Sequence, residues 1–357
     1  MTPAPSRRTR RSAAADAPES QSVTAEPWGE SQAGAWLPAP GAADDKYRRG
    51  VLGARTGSAL FPGAAVLSVA AAWRTGIGMV RYVPALDDGA AEHGLPSPAA
   101  AVLAVHPETV FGPPSDLTNC DAWIIGSGTD PDQRSASERD ALLSILAGAS
   151  PVVVDAGALD LVHEERPVAP AILTPHAGEF TRLWQAAGLG TKPDGWPART
   201  RSKRARPVKT EARVAATLQL AERLGTTVLL KGSTSVTATP GGQAFLTGPA
   251  TPWLATAGTG DVLAGVLGAL AAAQSDAIRE DPELLGAIGA SAAVVHDIAA
   301  RLAAGAIGET TGGSSGHASA GSPITATDVI AAAPEAVARV RATRPTTSRR
   351  RHQQSAG

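Results

Sequence analysis

Apolar residues follow two alternating patterns between about residues 51 and 303 of this chain. Short apolar runs predict strands at 51–52, 79–83, 101–105, 122–125, 151–154, 171–173 and 228–230. Longer stretches with helical spacing predict helices at 64–75, 134–147, 210–224, 262–272 and 284–303. Because short apolar strands that alternate with helices are typical of a parallel sheet covered on both faces, we predict an α/β fold.

The segments outside this alternating region lack apolar periodicity. We predict a disordered N-terminal tail over 1–40, one domain over 41–340 and a disordered basic tail over 341–357. Inside the domain we expect a basic loop at about 190–209 and a flexible Gly/Ser-rich loop at about 306–322.

Charge and composition narrow the choice of partners. The formal net charge of the 357 residues is -1, so no global field draws the protein to nucleic acid, and we expect no such partner. The basic residues cluster in 7–11, 199–209 and 344–351, which lack apolar spacing and read as solvated segments.

The single cysteine and the apolar runs indicate a cytoplasmic protein. Cys120 cannot form an intramolecular disulfide, which suits a reducing compartment, and we expect it to be a small core residue. The longest apolar run, near 262–273, is interrupted by Gly265 and Gly268 and is too short to span a bilayer, so we expect no membrane association.

Four consecutive predicted strands end in residues suited to a ligand site: Gly126, Asp155, His176 and Lys231. In parallel sheets ligands bind outside the carboxyl ends of the strands, so this recurrence is the best local indication of a site. Asp155 could hold magnesium through water or cap the turn that follows it, and the sequence leaves both open.

The strongest motif is Gly258-Thr259-Gly260-Asp261, directly before an apolar helical run. Two glycines allow close backbone approach, and the free amides of a helix N-terminus stabilise an anion such as phosphate. Asp261 in the first turn is either a helix cap or a reactive carboxylate, and the motif alone leaves both open. The spacing is not that of a Walker motif, because no Gly-Lys-Ser/Thr follows.

Two further segments carry polar groups. Lys231 could pair with a nucleotide phosphate, and Ser233, Thr234 and Ser235 could bond ribose or phosphate oxygens, although a solvated lysine at a turn is the simpler alternative. His176 could bind substrate or act as an acid or base, or it could lie exposed in a Pro-containing turn.

In this order, the segments resemble the ribokinase-like superfamily, and one branch closely, the ADP/ATP-dependent NAD(P)H-hydrate dehydratases. The resemblance runs from about residue 46 to about residue 334. It is carried by Lys46-Tyr47, Gly50-Val51, Pro62-Gly63-Ala64-Ala65, Ile125-Gly126-Ser127-Gly128, Val154-Asp155-Ala156, Thr174-Pro175-His176-Ala177-Gly178-Glu179, Lys231-Gly232 and Gly258-Thr259-Gly260-Asp261. The Thr-Pro-His-x-Gly-Glu element separates this branch from the sugar and vitamin kinases.

The resemblance implies a three-layer sandwich with a central, mostly parallel sheet. It also implies a reaction, the dehydration of the S epimer of hydrated NADH or NADPH after ADP or ATP phosphorylates the ring hydroxyl. Phosphate is a better leaving group than hydroxide, which is the physical logic of the coupling. Relatives of this kind imply Mg2+ on the phosphates and a homo-oligomer, commonly a tetramer.

Carried onto this chain, the resemblance implies a role for each matching residue. Asp261 is the implied base, and the amides of Gly258, Thr259 and Gly260 form the implied anion hole. The implied nucleotide-binding residues are Lys231, Gly232, Ser233, Thr234, Ser235 and Gly260. The implied substrate-binding residues are Ala64, Gly128, His176 and Asp261.

The chain departs from the family pattern in two places. Relatives often have Gly-Pro-Gly-x-Gly after the strand at 122–125, whereas this chain ends the segment with Asp130, so we expect no close backbone approach there. Many relatives carry a fused N-terminal epimerase domain. Residues 1–40 are too few for one, so we expect a separate NAD(P)H-hydrate epimerase as partner.

Two alternatives stay open from the sequence. The first is a small-molecule kinase of the same superfamily that phosphorylates a pyrimidine or thiazole alcohol with the same Asp261. The second is a non-catalytic nucleotide-binding regulator, against which the intact Asp261 and Lys231 argue. The resemblance favours ADP over ATP because bacterial relatives mostly use ADP, and the sequence does not separate hydrated NADH from hydrated NADPH.

Overall fold

A ten-stranded sheet forms the centre of the computed structural model, which describes residues 24–86, 94–196, 208–306 and 321–344. The strands are β1 (Glu26–Pro27), β2 (Val51–Arg55), β3 (Met79–Tyr82), β4 (Val110–Phe111), β5 (Ala122–Ile125), β6 (Val152–Val154), β7 (Ala171–Leu173), β8 (Thr227–Leu230), β9 (Ser235–Ala238) and β10 (Ala244–Thr247). The α-helices described are α1 (Glu30–Ala33), α2 (Pro62–Thr75), α3 (Pro98–Val105), α4 (Ala136–Leu146), α5 (Leu161–Glu164), α6 (Ala177–Ala186), α7 (Thr210–Leu224), α8 (Thr259–Ala272), α9 (Ser275–Glu280), α10 (Leu284–Ala303) and α11 (Ala326–Ala342).

The strand order is β1-β10-β9-β8-β7-β6-β5-β2-β3-β4. Every neighbouring pair is parallel except those of β9, which runs antiparallel to both β8 and β10. The carboxyl ends of β5, β6, β7 and β8 therefore meet at one edge of the sheet, with Ile125 opposite Val154 and Val154 opposite Leu173. This edge carries the polar residues that the sequence places at strand ends.

Alternating strand residues face two separate apolar layers. Ile124 and Val153 pack with the buried faces of α2, α8, α10 and α11 on one side of the sheet. Trp123 and Val152 pack with residues of α4, α5, α6 and α7 on the other side. The predicted α/β sandwich with a mostly parallel sheet and helices on both faces is confirmed. Small residues on α2 and α8 let these two helices approach closely, since a Cβ on Gly265 would lie 2.3 Å from the carbonyl oxygen of Ser68.

Cys120 and the ion pair of Arg55 with Glu138 are both buried in this fold. Cys120 is buried, as predicted, and burial raises the pKa of its thiol to about 12. Arg55, at the end of β2, is buried against Glu138 of α4, and its Nε and Nη2 donate to the two carboxylate oxygens at 2.7 and 2.5 Å.

The helix α10 is long and apolar enough to cross a membrane, but 78% of its most apolar window is buried inside this fold, as in a core helix.

The strand predicted at 101–105 is wrong, because this segment belongs to helix α3. Ser97 caps the helix by accepting a hydrogen bond from the Ala100 amide, and Pro98 occupies the first helical position, where its missing N–H is not needed. The apolar run alone does not separate a short helix from a short strand, whereas the Ser-Pro cap does.

The predicted disorder over 1–40 does not hold for residues 24–40. β1 pairs in parallel with β10, and the side chains of Ala33 and Leu37 are buried in the core. Residues 1–23 lie outside the described residues, as do most of the predicted basic loop (197–207), of the Gly/Ser-rich loop (307–320) and of the C-terminal tail (345–357).

The elements that the sequence did not predict include β9, β10 and α11. The strands β9 and β10 form an antiparallel hairpin, and α11 packs against α2 and α10. Thr325 begins α11 with a capping box, in which its hydroxyl accepts from the Asp328 amide while Asp328 Oδ2 accepts from the Thr325 amide. Pro334 inside the helix interrupts the helical signal in the sequence.

Candidate active site

The N-terminus of α8 is built by a left-handed glycine. Gly258 has φ of 86°, and a Cβ there would lie 2.6 Å from Leu67 Cδ1, so a larger residue would meet both backbone strain and a clash. The hydroxyl of Thr259 donates to the carbonyls of Leu254 and Thr256, each at 2.9 Å, which fixes the preceding turn. The Thr259 amide donates to the Thr256 carbonyl at 3.4 Å. The amides of Gly260 and Asp261 have no partner within the helix and are available to an anion.

Asp261 lies in this first turn, and its side chain does not cap the helix. Within the described part of the chain no hydrogen bond reaches its carboxylate, which argues against the capping alternative. Burial and, to a smaller extent, the charge of Asp155 raise the pKa of Asp261 to about 7 against the opposing effect of the Lys231 ammonium. A partly buried carboxylate that titrates near neutral pH is suited to accept a proton from an alcohol.

Lys231 stands between the strand ends and this helix turn. Its Nζ donates to Asp155 Oδ1 at 2.8 Å, and a Cβ on Gly260 would lie 3.6 Å from the same nitrogen. Burial alone would lower the pKa of Lys231, but the charges of Asp155, Glu179 and Asp261 hold it above its ordinary value. The residue is therefore a permanent cation beside the amides of α8, and the alternative of a freely solvated lysine is excluded.

Asp155 is buried and both of its oxygens accept hydrogen bonds. Thr174 Oγ1 donates to Oδ1 at 2.6 Å and Ser127 Oγ donates to Oδ2 at 3.0 Å, in addition to the bond from Lys231. Burial alone would raise the pKa of Asp155, but the Lys231 ammonium and the two hydroxyls hold it below its usual range. Asp155 makes no capping bond to the following turn, and its engaged oxygens argue against the magnesium alternative as well.

A cavity of about 560 Å³ opens next to the α8 N-terminus. Five of the six residues predicted for nucleotide binding line it: Lys231, Gly232, Ser233, Ser235 and Gly260. Thr234, the sixth, is not among the lining residues, and Thr259 contributes from the glycine turn. A cavity of this size that ends at a cation and a helix N-terminus has room and charge for a phosphorylated ligand.

Most other walls of this cavity come from segments that the sequence did not mark as functional. They are the β10 exit at 247–252, the middle of α10 and the N-terminal segment at 28–30. Asp297 of α10 holds the β10 exit by accepting from the Thr251 amide at 2.7 Å, and Arg301 bonds both Asp297 and the Pro249 carbonyl. The sequence signal for this wall was present as polar residues, His296 and Asp297, inside an apolar helix.

His296 of α10 is a polar side chain in the wall of this cavity. It is buried, and its Nε2 has no hydrogen-bond partner among the residues that the structure describes. Burial lowers the pKa of His296 to about 4, with the Lys231 charge acting in the same direction and the Thr259 backbone opposing it. The imidazole is therefore neutral at physiological pH and adds no positive charge to the phosphate end.

Of the predicted substrate residues, the structure brings Ala64 and Gly128 into contact. Gly128 has φ of 68°, and a Cβ there would lie 2.3 Å from Ala64 Cβ, so only glycine fits between this turn and α2. His176 is different, because its Nδ1 accepts from the Gly178 and Glu179 amides and its side chain is 58% exposed. His176 caps α6. It lines neither the cavity of about 560 Å³ nor the second cavity, described next.

A second cavity of about 580 Å³ lies on the side of α6 that carries Glu179. Thr129, Gly157 and Arg182 also line it. Asp130, where the family pattern has glycine, accepts from the Asp132 amide at 3.0 Å and caps a short 3-10 helix. Asp130 itself lines the same cavity, and the expectation about its backbone stays a prediction.

The fold and this site define a class of protein. It is an α/β protein of the ribokinase-like type with a cavity of about 560 Å³ at the N-terminus of a core helix. A crystal structure of the ADP/ATP-dependent NAD(P)H-hydrate dehydratase from Bacillus subtilis, co-crystallised with ATP/Mg2+, has the same fold, with a TM-score of 0.64 and 24% identity. The match covers 89% of this chain and 99% of that one.

Sequence comparison then gives the family. A family model described as NAD(P)H-hydrate dehydratase matches residues 52–315, and the chain belongs to that family. The ADP-dependent (S)-NAD(P)H-hydrate dehydratase of Xanthomonas campestris is 33% identical over 253 residues, which are 68% of this chain and 78% of that protein.

A second kind of relative is longer than this chain. The bifunctional NAD(P)H-hydrate repair enzyme Nnr of Mycobacterium tuberculosis is 42% identical over 241 residues, 66% of this chain. The matched region is only 43% of that relative's length.

Proposed function

We propose that this chain dehydrates the S epimer of hydrated NADH or NADPH and uses ADP or ATP as phosphoryl donor. The observation that carries the proposal is that Asp261 lies in the first turn of α8, where Thr259 and Gly260 line a cavity of about 560 Å³ together with Lys231. Family membership and the ADP-dependent relative from Xanthomonas campestris support the same reaction.

The nucleotide would occupy the 560 Å³ cavity with its terminal phosphate at the α8 amides. Lys231 and the amide of Gly260 would then meet the phosphate oxygens, where charge grows as the phosphoryl group is transferred. Ser233 and Ser235 line the same cavity and would bond ribose or phosphate oxygens. Thr234 is not part of this proposal.

The hydrated nicotinamide ring would enter beside Asp261 from the side of Ala64 and Gly128. Asp261 accepts the proton of the ring hydroxyl while the hydroxyl oxygen bonds to the terminal phosphorus and the bond to the remaining nucleotide breaks. Phosphate then leaves with the carbon–oxygen electron pair, and the neighbouring carbon loses a proton, which restores the double bond. His176 would contact a distal part of the dinucleotide, since it lies exposed at the start of α6.

Magnesium is proposed only as a companion of the nucleotide. Over the described ranges, no group of three or more His, Cys, Asp and Glu side chains could hold a metal ion. Mg2+ would therefore be held by phosphate oxygens, as is usual for this ion. When bound, it would neutralise part of the phosphate charge.

The remaining parts of the proposal concern the setting of the reaction. We infer a cytoplasmic protein, a homo-oligomer and a supply of the reactive epimer by an NAD(P)H-hydrate epimerase activity. The longer bifunctional relatives support the last point, because their name describes a repair enzyme with two activities.

An absorbance assay tests the reaction. Purified protein, hydrated NADH, Mg2+ and either ADP or ATP should restore the reduced-nicotinamide absorbance, and the donor that supports recovery is thereby identified. Asp261→Asn should reduce the rate by at least about 100-fold, because loss of a general base typically removes that much.

A matched variant separates the catalytic role from a general effect of charge. Asp276 also lies in the first turn of a helix, α9, but its side chain is 95% exposed, and Asp276→Asn should keep the wild-type rate. No recovery with either nucleotide, from folded wild-type protein that binds them, contradicts the proposal. Turnover of a pyrimidine or thiazole alcohol instead would assign the kinase alternative.

A further inference from the structure

One buried carboxylate connects four consecutive strand ends. Asp155 follows β6, and its three hydrogen-bond donors follow the neighbouring strands: Ser127 after β5, Thr174 after β7 and Lys231 after β8. The residue is 2% exposed, so the interaction is shielded from water. The network spans the width of the candidate active site.

Fold stability alone does not explain this arrangement. Burying a carboxylate and an ammonium carries a desolvation penalty of several kcal/mol per ion, and well-packed apolar side chains usually stabilise a core as well or better. Asp155 caps no helix, and three hydrogen bonds already engage its two oxygens. Two of the three donors, however, connect Asp155 to the site, because Lys231 lies at the α8 N-terminus and Ser127 precedes Gly128.

On the nucleotide side, Asp155 fixes the direction of the Lys231 ammonium. Lys231 Nζ donates one of its three protons to Asp155. Gly260 of the anion-hole turn lies beside this nitrogen. The other two protons are available to phosphate oxygens. An unanchored lysine would spread its four-carbon stem over many rotamers, and ordering it would weaken nucleotide binding.

On the acceptor side, Asp155 holds the turn that contains Gly128. Ser127 donates its hydroxyl to Asp155 Oδ2, and its carbonyl accepts from the Gly57 amide at 2.7 Å. The next residue, Gly128, packs directly on Ala64. The same carboxylate thus fixes groups on both sides of the position where phosphoryl transfer would occur.

We infer that Asp155 is a positioning residue that holds the Lys231 ammonium at the anion hole and the Ser127–Gly128 turn at Ala64, so that donor and acceptor are aligned by a single buried carboxylate. The inference rests on the proposed function for its role in turnover. Its two structural consequences, nucleotide affinity and the charge balance at Asp261, can be measured without turnover.

The charged groups around Asp261 and Lys231 determine how Asp155 affects the pKa of Asp261. Asp155 on β6 and Lys231 on β8 act on Asp261, while Glu179 on α6 also acts on Lys231 and the neutral His296 on α10 adds no charge. With Asp155 neutralised, Lys231 would lose its close partner and pair with Asp261. The pKa of Asp261 would then fall, because an opposite charge becomes closer and a like charge disappears.

The test is Asp155→Asn, measured by isothermal titration calorimetry with Mg-ADP and by carboxyl ¹³C NMR of Asp261 in the nucleotide-free protein. We expect the Kd for Mg-ADP to rise at least about tenfold, as for loss of an anchored charge-assisted bond. We also expect the Asp261 titration to move to lower pH by about one unit or more. A folded variant with either value unchanged overturns the inference.

Thr174→Val is the matched control. It removes the 2.6 Å bond to Asp155 and leaves every charge in place, so Mg-ADP affinity should fall by only about two- to fivefold, the equivalent of one hydrogen bond, with an unchanged Asp261 titration. If Asp155→Asn does not fold, Thr174→Val decides, and unchanged Mg-ADP affinity overturns the inference. Because both readouts omit the hydrated dinucleotide, failure of the proposed reaction would leave this test intact.

Discussion

The carboxyl group of Asp261 should titrate near pH 7 in the nucleotide-free protein. Burial raises its pKa to about 7 from the ordinary 3.8. With that pKa, about a tenth of the molecules carry an ionised Asp261 at pH 6 and about nine-tenths at pH 8. If ionised Asp261 is the base, the rate with both substrates well below saturation should rise about tenfold across this interval.

The same shift predicts the pH dependence of stability. A carboxyl group with a raised pKa binds its proton more tightly in the folded protein, so its contribution to the free energy of unfolding is complete below about pH 4 and is lost as the pH rises to 7. The full shift corresponds to about 4 kcal/mol, and partial exposure of Asp261 reduces the expected loss to about 1–3 kcal/mol. Asp261→Asn should therefore be more stable than wild type at pH 8 and of similar stability at pH 4.

Two measurements check this prediction. Carboxyl ¹³C NMR of protein labelled at aspartate gives the titration directly, and the signal that disappears in Asp261→Asn is assigned to Asp261. Asp328 serves as an internal reference, because the Thr325 amide and hydroxyl hold its pKa below the ordinary value. Urea unfolding of wild type and Asp261→Asn at pH 4 to 8 gives the stability difference.

The outcome that refutes this reasoning is equally direct. An Asp261 signal that titrates near pH 4, together with the same pH dependence of unfolding in both proteins, would mean that water reaches the carboxylate freely. Asp261 would then be ionised throughout the neutral range, and burial could not be the source of its reactivity.

Two further predictions concern the framework around the site. Gly265→Ala should destabilise the protein by about 1–3 kcal/mol in urea unfolding, because its Cβ would lie 2.3 Å from the Ser68 carbonyl oxygen and the helix-propensity gain of about 1 kcal/mol does not offset the overpacking. Gly63→Ala, with no atom within 4 Å of the new Cβ, should be neutral or stabilising. Glu138→Gln should lower the free energy of unfolding by about 3–5 kcal/mol, since it leaves the buried Arg55 cation without its charged partner.

The control for Glu138→Gln is an ion pair that lies exposed on the surface. Glu164→Gln breaks the ion pair of Glu164, whose side chain is 38% exposed, with Arg139, whose side chain is 43% exposed. The free energy of unfolding should change by no more than about 1 kcal/mol. Equal losses for Glu138→Gln and Glu164→Gln would contradict the argument from burial. A Gly265→Ala protein as stable as wild type would show that α2 and α8 separate easily.

The parallel core of the fold could be predicted from the sequence because its signals are local. Fully apolar runs such as Val152–Val154 occur where a strand is buried on both faces, and the polar residue after each run marks its carboxyl end. The α3 segment failed this test, because a short apolar run has no period of its own. The Ser97 cap was the deciding signal there.

The candidate site could be predicted only for the residues that face it from strand ends and helix starts. The Gly258–Asp261 turn and Lys231 belong to this group. The interaction of Lys231 with Asp155 depends on the strand order, since 76 residues separate the pair in sequence. The α10 wall and the hairpin exit depend on the packing of distant elements, and no local pattern specifies that packing.

The short strand β1 shows that the folded domain begins before the region matched by the family model. It covers β10, and Trp28 next to it packs edge-on against Phe245 and donates to Ser291 of α10. The family match begins at residue 52, so a protein trimmed to that start would lose the pairing of β1 with Phe245 and Leu246 and would leave β10 as an uncovered edge strand. Such an edge accepts strands from other molecules, and the trimmed protein would aggregate through it.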